Sequence, residues 1–270
     1  MPRPLIVAVC QQKGGVGKTA ATTGIADAAA QLGKSVLVID MDPQANATTN
    51  LGVEDTPPFT ANDVLTADPV TREVARGGIL DAFVPAGEAW GSRIHVVASE
   101  LALAAREQDQ DLGREYRLRT ALDDEAISQW DLIVIDCPPS LGQLTVNALA
   151  AADAALLITE PRAASVDGLA QMVRTLTTVR QHYNPQLRVA GIVINKYRPD
   201  RRDRVEWAGQ VRSIYGDLVI ENFLPDREIV AAAASACSPL SAYGAKSSEI
   251  TDVFAAIAQR LLASHAGAGA

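Results

Sequence analysis

Residues 11–19 read Gln-Gln-Lys-Gly-Gly-Val-Gly-Lys-Thr, directly after the apolar run Leu5–Cys10 and ahead of a helical pattern. Gly14, Gly15 and Gly17 let the backbone turn so that successive N–H groups face inward, an arrangement suited to phosphate oxygens. A helix starting near Lys18 adds its positive end at the same point. Lys18 brings a point charge for β- and γ-phosphates, and the Thr19 hydroxyl suits Mg²⁺. Gly14, Gly15, Val16, Gly17, Lys18, Thr19 and Ala20 are therefore the expected phosphate contacts. The ordinary phosphate-loop pattern asks for glycine where Gln12 stands, and a second lysine, Lys13, precedes the glycines instead.

Two further strand-like runs end in carboxylates. Val36–Ile39 leads into Asp40-Met41-Asp42-Pro43-Gln44, and Leu132–Ile135 leads into Asp136-Cys137-Pro138-Pro139. Four consecutive apolar residues suit strands buried on both faces of a parallel sheet, and open α/β sheets bind ligands at the carboxyl ends of their strands. Asp40 and Asp42 are two apart, so they share one side of an extended chain. Asp136 suits Mg²⁺ held through water, because Mg²⁺ keeps much of its hydration shell. The Pro138-Pro139 pair fixes a stiff turn behind it.

These motifs resemble the ParA/MinD family of dimerising ATPases with a deviant Walker A loop, Lys13 standing as its signature lysine. Asn46–Gly52, Gly113–Leu118, Thr159-Glu160-Pro161 and Ser165–Leu169 also look like family segments, so the resemblance runs over most of the chain. It implies ATP or ADP with Mg²⁺ as cofactors and an ATP-dependent homodimer in which Lys13 reaches the partner's nucleotide. It further implies catalysis by Lys13, Lys18 and Asp42, with Asp42 positioning the attacking water. Thr19, Asp40 and Asp136 would serve the metal, and Asn195, Pro225 and Asp226 the adenine. Slow hydrolysis stimulated by a ParB-like or adaptor protein would then segregate or position a plasmid, chromosome or other cargo. Three positions depart from the family: Ala20 replaces a hydroxyl residue, Gly24 stands where Asn is frequent, and Ile229 falls where an arginine often contacts DNA.

The elements that must carry these residues are read as a single-domain α/β fold, a mostly parallel doubly wound sheet flanked by helices over residues 1–265. Strands are expected near 5–10, 35–40, 93–98, 131–136, 154–159, 188–194 and 218–223, with a last helix near 247–263. Residues 53–91 read as an irregular insertion with short helices, and 266–270 as a flexible tail. Cys10, Cys137 and Cys237 have no paired spacing and read as buried thiols in a cytoplasmic protein, and the resemblance implies nucleoid association.

The net charge of −8 repels DNA, so any DNA contact needs a local patch. The best candidate is Lys196, Arg198, Arg201, Arg202 and Arg204, with Arg227 as a further member; the alternative is a solvated run with internal Arg–Asp pairs. The segment from Glu249 to His265 carries only Arg260 and His265 as basic groups, and its apolar stripe suits core packing, so no membrane contact is expected. A membrane-cycling or protein-only switch and a metabolic synthetase on the same fold are the competing readings.

Overall fold

The computed structural model describes residues 3–266. Its strands are β1 (Leu5–Cys10), β2 (Val36–Asp40), β3 (Phe83–Pro85), β4 (Ile94–Val97), β5 (Leu132–Asp136), β6 (Ala154–Thr159) and β7 (Arg188–Ile194). They form one sheet in the order β3-β4-β2-β5-β1-β6-β7. Every residue of β1, β2, β5 and β6 is buried, as continuous apolar runs require when helices cover both faces. All ladders are parallel except β3 with β4.

The helices are α1 (Lys18–Gln31), α2 (Asn46–Asn50), α3 (Ala61–Leu65), α4 (Arg117–Ala121), α5 (Gln143–Ala151), α6 (Ala163–His182), α7 (Arg202–Tyr215), α8 (Glu228–Ser235) and α9 (Ser248–Ala266). Alternate residues of β1 divide between two cores. Leu5, Val7 and Val9 pack with α1 and α9, whereas Ile6, Ala8 and Cys10 pack with α5 and α6. Gly24 of α1 explains one departure from the family: a Cβ there would collide with the Phe254 ring of α9.

The expected strand at 218–223 is corrected. Ile220 N–H donates to Ile192 O and Leu224 N–H to Ile194 O, so four residues span what two span on β7. The surplus pushes Glu221 and Asn222 into solvent and leaves two isolated bridges, Ile192 with Val219 and Tyr197 with Pro225. The additional strand, β3, lies inside residues 53–91, which also hold α3 with its Thr60/Asp63 capping box and the buried Trp90.

In α9 the stripe Ile250, Phe254, Ile257 and Leu261 is buried. Among the described residues no helix is long and apolar enough to cross a membrane. The tail expected at 266–270 lies outside the described residues, save that Ala266 closes α9.

Candidate functional site

The loop Gln11–Gly17 joins β1 to α1 at the carboxyl end of the sheet. Gly15 and Gly17 hold φ values of 75° and 93°, a region that favours glycine, and a Cβ at Gly17 would strike the Asn195 amide. Lys18 is buried, with its Nζ 3.5 Å from Lys13 O. Burial lowers the pKa of the Lys18 ammonium, and the charge of Asp136 opposes that fall. Val16 is buried, and Gly14 and Gly15 are exposed. Ala20 is half-buried and offers its carbonyl to Thr23 Oγ1 at 3.4 Å.

Asp136, at the end of β5, accepts hydrogen bonds from Thr19 Oγ1 at 2.8 Å and Thr22 Oγ1 at 2.9 Å. Burial, then the charge of Asp40, raises its carboxyl well above the ordinary range. Asp40 accepts from Thr48 N at 2.8 Å, Thr48 Oγ1 at 2.8 Å and Asp42 N at 3.0 Å. Both its oxygens are thus engaged in shaping its own turn. Asp42 is buried; its Oδ1 accepts from Gln44 N at 3.0 Å, while among the described residues its Oδ2 has no protein donor.

The donors fit Mg²⁺. A threonine hydroxyl and a carboxylate meet, all hard oxygens, and among the described residues no cluster of three or more acidic, histidine or cysteine side chains forms a protein cage. Such a site suits an ion that keeps most of its ligands as water and phosphate. Cys10 and Cys137 lie beneath it with their thiols pushed up by burial, Cys10 to about 12, so neither serves as a thiolate at neutral pH.

Lys13 turns away from the loop. Its Nζ donates to Ser165 Oγ at 3.2 Å and lies 3.9 Å from Glu160 Oε2, with 35% of the side chain exposed. Asn195 Nδ2 donates to Val16 O at 2.7 Å. Pro225 is buried, and Asp226 N–H donates to Tyr197 O at 3.1 Å, so the expected adenine segment sits beside the end of β7.

The basic run does not form one exposed patch. Lys196 turns inward to Gly15 O and Glu160, and Arg204 reaches Pro161 O at 3.3 Å. Arg198 pairs with Asp200 at 2.9 Å and Arg202 with Glu206 at 2.8 Å. Arg201 precedes α7 and is exposed, and Arg202 has 93% of its side chain exposed. Arg227 pairs with Glu249 at 2.7 Å, and Ile229 packs against the core beneath α1 and α9.

Sequence reasoning gave no role to Thr22, Thr48, Glu160 or Glu107. Thr22 stands three residues after Thr19 on α1, a spacing that shares one helix face and could have flagged it. Glu107 accepts from Gln143 N at 2.6 Å at the start of α5 and lies 3.5 Å from Ser140 Oγ, behind the Pro138-Pro139 turn. Nothing local in the sequence links those two segments.

A glycine-rich loop at a helix start, with carboxylates on neighbouring strand ends, defines a P-loop nucleotide-binding protein. The family described as AAA domain matches residues 5–189. The chromosome partitioning protein ParA of Caulobacter vibrioides is 36% identical over 245 residues, spanning 89% of this chain and 88% of the relative. The chain belongs to the ParA family of partition ATPases. A cobyrinic acid a,c-diamide synthase from Mycobacterium smegmatis, solved with ADP and magnesium, superposes with a TM-score of 0.72 at 28% identity. That match covers 87% of this chain and 92% of the other. A Cyanothece McdA variant in complex with ATP superposes with a TM-score of 0.82 over 97% of both chains; at 20% identity that likeness is one of fold.

Proposed function

We propose that this chain is an ATP-dependent dimerising switch that hydrolyses ATP slowly to position a DNA or other cargo. The observation that carries the reading is the division of labour between two lysines. Lys18 is buried inside its own loop, whereas Lys13 leaves the loop, keeps about a third of its side chain in solvent and rests its ammonium against the buried Ser165 and Glu160. A lysine so placed, outside its own phosphate loop and held by one hydrogen bond and a long ion pair, meets the nucleotide of a second copy by letting go of Ser165 and Glu160.

In this mechanism the amides of residues 14–18 and Lys18 bind the phosphates, and Thr19 and Asp136 would hold Mg²⁺. The ion, when bound, neutralises charge on the β- and γ-phosphate oxygens. Asp42, whose Oδ2 is free among the described residues, orients the attacking water by accepting its hydrogen bond. Asp40 holds the turn that aims Asp42. Asn195, Pro225 and Asp226 line the base. A partner protein completes the geometry for hydrolysis, and DNA contact falls to the exposed Arg201 and Arg202.

The test is binding to non-specific duplex DNA with ATP, ADP or no nucleotide over a salt series. ATP-dependent binding with a steep salt slope, weakened by changing Arg201 and Arg202, supports the reading. Dimerisation with ATP but no DNA binding in any state moves it to a protein-only switch. The likeness to a diamide synthase favours one second reading, a synthetase. ATP turnover that depends on an added carboxylic acid would establish it.

A further inference from the structure

Two neighbouring residues at the end of β7 grip the phosphate loop from outside. Asn195 Nδ2 donates to Val16 O at 2.7 Å, and Lys196 Nζ donates to Gly15 O at 2.5 Å. The Lys196 ammonium is anchored by Glu160 Oε1 at 2.9 Å, and the Glu160 side chain is only 8% exposed. Lys196 also adopts a left-handed backbone conformation, φ 54°, which is costly for a residue with a Cβ. Such strain persists where the surroundings over-determine it, and it clusters at functional sites.

A trans peptide unit points its carbonyl and its amide in opposite directions. Holding the carbonyls of Gly15 and Val16 toward β7 therefore turns the amides of Val16 and Gly17 the other way. Among the described residues neither amide has a protein acceptor, although Val16 is buried. Adjacent amides without protein partners are the makings of an anion nest.

We infer that Lys196 is a positioning residue for the phosphate nest, acting from outside the loop by fixing the Gly15 carbonyl, with Glu160 as its anchor. The inference rests on the nucleotide reading of Lys13–Thr19. It assigns Lys196 to nucleotide affinity and removes it from the DNA surface. Because the nest would hold the phosphates of ADP and ATP alike, the effect belongs to binding rather than to the chemical step.

The experiment measures ADP and ATP affinity, KM, kcat and thermal stability on the full chain. It compares wild type with Lys196→Met, which keeps the strain and loses the donor; Lys196→Gly, which loses both; and Lys196→Arg, which keeps a cationic donor. The expected result is about tenfold weaker ADP and ATP binding for the Met and Gly variants. KM rises in proportion, kcat stays within about twofold, and the Arg variant recovers most of the loss. The Gly variant, relieved of strain, keeps its melting temperature while losing affinity. Wild-type ADP affinity in both Met and Gly variants overturns the inference and leaves the nucleotide reading standing. So does an affinity loss that tracks a fall in melting temperature and is not recovered by arginine. Failure of the wild-type chain to bind ADP at all overturns the nucleotide reading with it.

Discussion

Asp40 and Asp136 are register partners on adjacent strands, side by side at the carboxyl ends of β2 and β5 and both withdrawn from solvent. Burial raises both carboxyls, and each is exposed to a neighbouring aspartate's charge: Asp136 to that of Asp40, and Asp40 to that of Asp42. Hydrogen bonds from Thr19 and Thr22 to one, and from Thr48 and the Asp42 amide to the other, offset part of that cost. The two carboxylates are therefore stabilised by hydrogen bonds more than by paired cations.

The first prediction is a falling stability with rising pH in the nucleotide-free protein. Asp136 moves from 3.8 to about 7 and Asp40 from 3.8 to about 6, so the folded state binds more protons than the unfolded state in that window. Stability is fullest below about pH 4 for these two groups and is lost as pH rises through about 7. The pair titrates as a unit, so the two contributions do not add; a loss on the order of 2 kcal/mol is expected. Urea unfolding from pH 4.5 to 8 measures it, and Asp136→Asn should flatten the slope.

Lys18→Ala should abolish measurable ADP and ATP binding, because the buried ammonium is the main cation inside the loop. Isothermal titration checks this, and retained tight binding would refute the phosphate-loop assignment. Asp42→Ala should bind ATP within a few-fold of wild type yet fall at least about a hundredfold in turnover, the scale of a lost water-orienting group. Steady phosphate release at the wild-type rate would show that water is held elsewhere.

Gly24→Ala should cost about 1–3 kcal/mol, since the new methyl meets the Phe254 ring in a close-packed contact. Pairing it with Phe254→Leu should recover part of the loss, giving a favourable coupling energy in a double-mutant cycle. Simple additivity would mean that α9 shifts freely over α1.

Arg117 is buried on α4, donates to Leu65 O at 2.9 Å and pairs with Asp109 and with Asp111. It ties the segment before β5 to the irregular region around α3. Arg117→Met leaves the Leu65 carbonyl without its donor and leaves Asp109 and Asp111 only their 3.5 Å pairs with Arg106 and Arg72, and should cost about 2 kcal/mol. Denaturant unfolding gives the figure, and a change under about 1 kcal/mol would show that solvent replaces the arginine.

β2, β5 and their carboxylates were legible because each is a short apolar run ended by an aspartate, a local signal. The loop was legible because glycine spacing and a terminal Lys-Thr pair are themselves the geometry. The strand at 218–223 was misread because its apolar pattern says nothing of register, and two surplus residues broke the ladder. Lys196 was read as part of a surface charge run, since a sequence does not say that a left-handed turn folds a side chain back by 181 positions to Gly15. Glu107 and the contacts of Glu160 with Lys13 and Lys196 were invisible for the same reason: those partners are distant in the chain.

The strand order has a consequence for the hierarchy of opening. The phosphate loop and both buried aspartates hang from β1, β2 and β5, strands flanked on both sides by others. The segment carrying Pro225 and Asp226 is attached beyond the outermost strand by isolated bridges and scattered hydrogen bonds instead of a continuous ladder. Amides in the former should exchange with solvent only when the whole domain unfolds, and those in the latter through a cheap local excursion. Under the proposed function, a base held by that segment would be released by fraying at one border while the strands that carry the loop and the aspartates stay in register.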